Sequence, residues 1–376
     1  MDTAALLQRL VRTNSVNPAL MENGPGEPDV VAILEEVLAE LPVTVKRLEG
    51  MAGRPTLVAV LKGTGTGPSL LFNAHTDTVG VENMKDPFDG RIENGRLYGR
   101  GSYDMKGGLA AAVCALADLA EGPPLAGDVV LAAVADEEFA SLGTQEFLVY
   151  YRTDGAVVTE PTALDLCVAH KGFAWFQFEI EGRAAHGSRP DLGIDANLAA
   201  LPVLQGLAEL NRELSRRPPH ALLGRASLHV ASMLGGNAWS TYAAHCTLRV
   251  ERRLLPHETI EQAQEEMNRI APAKLILSRR GFETSSLSRL SSIAMDVLTD
   301  VRGTAPSITG QSPWFDAALL SAAGIETIIV GHDGAGAHAV EEFADLDSVD
   351  KLRRTLVQIA NRWCNRNSPA ARSSAQ

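Results

Sequence analysis

Leu70–Gly80 reads LLFNAHTDTVG, an apolar run that ends by presenting an imidazole and a carboxylate two residues apart. Side chains of a strand alternate between faces, so a strand carried on to Asp77 turns His75 and Asp77 to the same side. Such a pair is either a solvated strand tip or a piece of a site. What gathers beside it decides between the two.

On both sides of this run, strand and helix patterns alternate. Apolar residues recur at helical spacing over Thr3–Arg12 and Pro28–Glu40, and TVKRLEG and TLVAVLKG read as strands before the LLFNAHTD strand. FDGRIENGRLYGRG carries an Asn-Gly pair and predicts a short hairpin. MKGGLAAAVCALADLA then reads as a buried helix, DVVLAAVADEE as a buried strand and SLGTQEFLVYY as a helix. This order predicts an α/β fold, with a mixed, mostly parallel sheet sandwiched by helices.

The rhythm changes near Lys171. GFAWFQFEIEGRAAH alternates as a half-exposed antiparallel strand does, a long helix is expected from Asp195 to Arg216, and ASLHVASMLGG and AHCTLRVERRLL read as strands before a helix beginning near His257. AAGIETIIVG and a last helix, Asp347 to Trp363, return to the earlier character. Residues 171–285 are therefore expected to form a smaller α+β domain inserted within a discontinuous larger domain of residues 1–170 and 286–376. The tail NSPAARSSAQ is small and polar and is expected to lack order.

A chain of 376 residues fits two domains, and its formal charge of −12 argues against a nucleic-acid partner, which needs clustered Lys and Arg. The N-terminus shows no secretory pattern, and the longest apolar run, GGLAAAVCALADLA, is interrupted by Asp118 and too short to need lipid. Four cysteines stand far apart without metal-binding spacing and read as reduced thiols. A soluble cytoplasmic protein without a membrane partner is the expectation.

Carboxylates then recur in unusual places. Asp104 lies in the glycine-rich GRGSYDMKGG between hairpin and buried helix; Asp136, Glu137 and Glu138 end one apolar strand, and Glu160 ends another. With Asp77, they put carboxylates at the C-terminal ends of three strands, the edge at which open α/β sheets bind ligands. Each one alone fits a helix N-cap. Together they would repel unless a cation neutralised them. Imidazole and carboxylate without thiolate suit zinc or a similar ion. His75 supplies one ligand, with Asp77 behind it to accept the other ring N–H. GHDGAGAHAVEEF offers a second histidine, His338 or its competitor His332, and His338 is favoured by its place before the acidic helix start.

AHTDTV, GRGSYDMKGG, ADEE, TEP, AAHGSRP, VERRLLP and GAHAVEE, in this order, resemble the zinc-dependent family of acetylornithine deacetylase, succinyl-diaminopimelate desuccinylase, aminoacylase and a glutamate-releasing carboxypeptidase. VERRLLP and GAGAHAVEE look most like the acetylornithine deacetylase branch. The resemblance implies two zinc ions, with cobalt or manganese as the alternatives, bridged by Asp104 and a water. His75 and Glu160 would complete one shell, and Glu138 and His338 the other. Glu137 would be the general base. The resemblance also makes residues 1–170 and 286–376 the catalytic domain and residues 171–285 a dimerisation or lid domain, gives His186 the role of reaching into a partner subunit's site to stabilise the oxyanion, which implies a homodimer, and makes Arg253 the substrate-carboxylate arginine. One departure stands out: GGNAWSTYAAHC has Ser240 and Ala243 where relatives commonly carry asparagine and proline, leaving Asn237 or Trp239 as substitutes in substrate binding. The expected activity is removal of an acyl group from a small N-acyl amino acid, N-acetylornithine first. A dipeptidase or carboxypeptidase with the same centre, acting on a short peptide, and a catalytically silent metal-binding scaffold are the rival readings.

Overall fold

The structure, a computed structural model, describes residues 1–50 and 53–365. The tail expected to lack order lies outside the described residues. The chain divides into two compact units: Met1–Val168, Thr284–Thr309 and the stretch from Phe315 onward form one, and Ala169–Glu283 with Gly310–Trp314 the other.

In the first unit α1 (Thr3–Arg12) starts at Asp2, whose carboxylate accepts from the amides of Ala4 and Ala5, and so satisfies donors that the first helical turn leaves open. After α2 (Pro28–Leu38) come β1 (Thr44–Leu48), β2 (Thr56–Leu61) and β3 (Leu70–His75). The expected hairpin forms as β4 (Ile92–Glu93) and β5 (Arg96–Tyr98), turning at Asn94 and Gly95, both at positive φ. Then follow α3 (Gly107–Glu121), β6 (Val129–Val134), α4 (Leu142–Tyr150), β7 (Gly155–Val158) and β8 (Leu166–His170).

The second unit contains β9 (Gly172–Glu181), α5 (Ala196–Ala199), α6 (Leu201–Arg216), β10 (Ser227–Gly235), β11 (His245–Leu254), α7 (Ile260–Asn268), β12 (Lys274–Arg279) and β13 (Phe282–Glu283). The single helix expected over Asp195–Arg216 is broken at Ala200, because Pro202 opens α6 and has no N–H to continue a ladder. The helix expected near His257 begins at Ile260, after a reciprocal cap between Thr259 and Gln262. Four antiparallel strands run in the order β10-β11-β9-β12. Ala174, Phe176, Phe178, Leu248 and Val250 pack with Val203, Leu207 and Leu214 of α6 and Met267 of α7; the alternate residues of β9 and β11 take the opposite face. Trp314 is the far-sequence member of this unit: its Nε1 donates to the Arg280 carbonyl at 2.9 Å, and its ring meets His170 and Phe173 edge-on.

The chain then adds α8 (Arg289–Arg302), β14 (Ile308–Gln311), α9 (Ala317–Ala322), β15 (Glu326–Ile329), β16 (Gly334–Ala335), β17 (Phe343–Asp345) and α10 (Leu346–Cys364). The large sheet runs β1-β2-β6-β3-β7-β15-β8. It is mixed: β6, β3, β7 and β15 are parallel, while β1–β2, β2–β6 and β15–β8 are antiparallel. Leu57, Leu70, Phe72, Ala74, Leu131 and Ala133 join one core with α1, α2, α3, α8 and α10. The alternate residues of β3, Leu71, Asn73 and His75, face the other way. There Asn73 donates to Thr144 of α4, so period two delivers a histidine to the far face while Phe72 anchors the near one.

No helix among the described residues is long and apolar enough to cross a membrane. α3 presses on the end of β7, where a Cβ on Gly108 would lie 2.2 Å from the Thr159 carbonyl oxygen. Gly108→Ala is expected to lower stability by about 1–3 kcal/mol, the usual cost of overpacking, read from the urea midpoint. A parental midpoint would show that α3 moves off the strand freely.

Candidate metal centre

β3, β6 and β7 run parallel to one edge of the sheet, and polar side chains follow as each strand stops. β3 ends at His75, β6 at Val134 and β7 at Val158, so Asp77, Glu137, Glu138 and Glu160 sit in the loops just past the strands. Asp104 comes from the irregular turn before α3, and His338 from the loop between β16 and β17. These parts meet. His75 Nε2 is 3.2 Å from Asp104 Oδ1 and 3.6 Å from Glu160 Oε1. His338 Nε2 is 3.1 Å from Glu138 Oε2 and 3.4 Å from Asp104 Oδ2. Two sets of donor atoms, from His75, Asp104 and Glu138 and from His75, Glu137 and Glu160, each lie within 4.8 Å of one another. None of Asp77, Asp104, Glu138 and Glu160 caps a described helix; the N-cap of α4 is Ser141.

Burial raises Glu137, Glu138 and Glu160 above the ordinary carboxylate range, and the charges of neighbouring carboxylates raise them further. Burial would also raise Asp104, but hydrogen bonds from His338 and His75 hold it far below. Burial alone would push His75 down; the Asp104 hydrogen bond and the charges of Glu160, Glu137 and Asp77 lift it well above the usual imidazole value. Hydrogen bonds to Asp104 and Glu138 push His338 up to about 10. Glu137 Oε1, Glu138 Oε1 and Glu160 Oε2 are buried without a hydrogen-bond partner, a costly state for charged acceptors. Unpartnered carboxylate oxygens facing two imidazoles fit a divalent cation, and every donor is nitrogen or oxygen, as zinc, cobalt and manganese accept. His332 is elsewhere: it is fully buried under Gly107, edge-on to Tyr103, and burial holds its imidazole down at about 4.

The remaining expected residues belong to the second unit. His186 is exposed, with Nδ1 2.8 Å from Ser188 Oγ. Its loop runs beside the departing segment: the Gly187 amide donates to the Ser240 carbonyl at 2.7 Å, and the Tyr242 amide to the Ala185 carbonyl at 3.0 Å. Asn237 and Trp239 are exposed in the same turn. Arg253 lies near the far end of β11, where its Nε donates to Glu251 at 2.7 Å. Its neighbour Arg252 faces the core and pairs with Glu258 at 2.7 Å and Glu266 at 3.2 Å.

Residues 71–362 match peptidase family M20/M25/M40. The chain belongs to that family. As an M20 chain it is a hydrolase of amide bonds. It is similar to the acetylornithine deacetylases of Photorhabdus laumondii, 26% identical over 96% of this chain and 97% of the relative, and of Proteus mirabilis, 26% identical over 96% of each. Its fold is similar to that of an M20 family metallo-carboxypeptidase from Sulfolobus solfataricus, at a TM-score of 0.81 and 19% identity, covering 96% of this chain and 99% of that one.

Support for the centre of this M20 chain comes from residues without any motif of their own. His75 Nδ1 is 2.9 Å from the Asp77 main-chain carbonyl and 3.6 Å from its carboxylate, so the carbonyl takes the ring N–H. The Asp77 carboxylate instead accepts from the amides of Glu137 at 3.1 Å and Glu138 at 3.2 Å and from Asn17 Nδ2 at 2.8 Å. Asp77 thus ties the end of β3 to the acidic loop. Asn17 also reaches Asp136, which has φ 65°, and the Asp136 amide donates to Glu27. Arg54 closes this network with two bonds of 2.5 Å to Glu27 and a contact of 3.2 Å to Asp136. Beneath His75, Thr144 donates to Asp316 at 2.6 Å, and burial pushes the Asp316 carboxyl up to about 6. Asn17, Glu27, Arg54 and Asp316 passed unnoticed in the sequence because their partners lie 27 to 172 residues away.

Arg54→Met strands Glu27 and Asp136 without their cation and is expected to cost about 3–5 kcal/mol of stability; a loss below 1 kcal/mol would contradict the network. Glu137, Glu138, Glu160, His75 and His338 all keep protons to higher pH folded than unfolded, so the folded state binds more protons and stability falls as pH rises. The His338 part is full below about 6.5 and is lost by about pH 10. Asp104 acts oppositely below this window, and Lys106, which burial holds down at about 7, opposes the fall above pH 7 without outweighing the five groups together. The Tm of chelator-stripped protein is therefore expected to fall from pH 6.5 to 9, and a divalent cation to remove or invert that slope by taking the protons' place. A Tm that climbs with pH in the stripped protein would contradict the charge balance.

Proposed function

We propose that the chain is a dinuclear-zinc amidohydrolase that removes the acyl group from an N-acyl amino acid, with N-acetylornithine as the leading substrate. The observation that carries this reading is Asp104, which turns one oxygen to His75 and the other to His338. One carboxylate thereby serves two adjacent positions. His75 and Glu160 would complete one, Glu138 and His338 the other. Bound there, two divalent ions would acidify a shared water and polarise the amide carbonyl.

The chain's own groups do the rest. Glu137 has a buried, unpartnered oxygen and a raised affinity for protons, which suits it to take a proton from water and deliver it to the leaving amine nitrogen. Asp77 holds the amides of Glu137 and Glu138 and the ring of His75, fixing base against ligand. Arg253 would grip the substrate carboxylate with its planar fork.

The second unit supports a homodimer. Eight residue steps along extended β11 separate His245 from Arg253, about 26 Å at ~3.3 Å each, which favours Arg253 meeting a small molecule apart from His186 and Ser240 of its own chain. A partner chain supplying His186 resolves this. Exposed Leu234 on the edge strand β10 and Trp239 just past it support such an interface. The four cysteines are buried and none is in a disulfide, in keeping with a reducing cytoplasm. The acetylornithine deacetylases support the substrate class, and Ser240 is where the pocket would differ.

The test is hydrolysis of N-acetylornithine, N-acetylcitrulline, N-succinyl-diaminopimelate, N-acetylmethionine and several dipeptides by zinc-loaded protein. Turnover of an acyl amino acid is expected, and Glu137→Ala should reduce kcat by about 10²–10⁴ while keeping its metal. Turnover of dipeptides alone would establish a peptidase. Equal kcat in parent and variant would remove Glu137 as base.

A further inference from the structure

Glu342 closes the loop that carries His338, yet it is 1% exposed and points at the turn that carries Asp104. One of its oxygens accepts from the amides of Tyr103 at 2.9 Å and Asp104 at 3.0 Å. The other accepts from the Gly101 amide at 3.1 Å and from Arg100 Nη1 at 2.6 Å. Arg100 uses the rest of its guanidinium on main chain: Nε donates to the Gly80 carbonyl and Nη2 to the Ala339 carbonyl, both at 2.9 Å. Three segments far apart in sequence, ending at Gly80, Asp104 and Glu342, meet on one ion pair. Each carries part of the centre: Asp77 three residues before Gly80, Asp104 itself, and His338 one residue before Ala339.

The two halves of the centre are supported differently. His75 ends a central strand and Glu160 follows the next, so the sheet holds both. His338 has φ 59°, a side chain 55% exposed, and a loop flanked only by the two- and three-residue strands β16 and β17. The loop is fastened near Asp104 by the pairing of β17 with β5, by the Gly99 amide donating to the Glu342 carbonyl at 3.1 Å, by the Arg100 bond to the Ala339 carbonyl and by the buried Glu342 side chain.

We propose that Arg100 and Glu342 are positioning residues that set the spacing of Asp104 and His338, and so build the half of the centre formed by Asp104, Glu138 and His338. The proposal rests on the dinuclear reading above. Glu342→Gln replaces an acceptor with a donor facing Arg100 and the Gly101 amide, and Arg100→Lys keeps the charge but loses the fork.

The experiment is calorimetric zinc titration of chelator-stripped, full-length parent, Glu342→Gln, Arg100→Lys and Glu341→Gln, the last an exposed neighbour as control. The parent should bind two ions per chain and the control should match it. In Glu342→Gln one ion should keep its affinity within about twofold while the other weakens about 10- to 100-fold, with a smaller loss at the same ion in Arg100→Lys. Equal weakening of both ions, or no weakening in a folded variant, overturns the clasp. If Glu342→Gln does not fold by circular dichroism, Arg100→Lys decides by the same criteria. A parent that binds fewer than two ions overturns the dinuclear reading and the clasp with it, and that failure is recognised because it occurs without any substitution.

Discussion

Confining Asp104, Glu137, Glu138 and Glu160 around His75, out of water, is the constraint on which the rest of the structure depends. Two unit charges about 4 Å apart repel by roughly 4 kcal/mol at an effective dielectric of ~20. Several such pairs equal the whole stability of an ordinary domain, about 5–15 kcal/mol. The cluster therefore holds protons or a cation. The protein keeps its own fixed cations one layer back, where Arg54 answers Glu27 and Asp136, and Arg100 answers Glu342. Placed closer, either guanidinium would occupy the space that a metal requires.

The sheet explains why the cluster gathers at one edge. Parallel strands discharge their loops in the same direction, so β3, β6 and β7 can each contribute a group without any long excursion of chain. Alternation along β3 does the finer work: Phe72 goes to the main core, while Asn73 and His75 go to the α4 side, where Thr144 and Asp316 continue the polar path.

Most of this was legible in the sequence where residues adjoin or recur at fixed spacing. The strands and helices of the first unit, His75 and the carboxylates 104, 138 and 160 stand in short motifs, and apolar periodicity marks their elements. Backbone and partner details were not. The expected long helix breaks at Ala200 because of one proline; the ring N–H of His75 meets the Asp77 carbonyl rather than its carboxylate; and no local pattern tells that His332 is buried under Gly107. Glu27, Arg54 and Glu342 look like surface charges in a sequence, since nothing local tells a buried arginine from a solvated one. Only folding brings Glu342 to Arg100 across 242 residues.

Trp314 bears on how such enzymes can be recombined. It belongs to the compact unit of Ala169–Glu283 although it is encoded after it, and it fills space against His170 and Phe173 while bonded to the Arg280 carbonyl. A graft of residues 169–283 into another member of the family would leave this indole behind and open a hole of tryptophan size against His170 and Phe173. The heritable module is thus split on the gene, and a chimera built to exchange specificity has to carry the short stretch Gly310–Trp314 along with the contiguous segment.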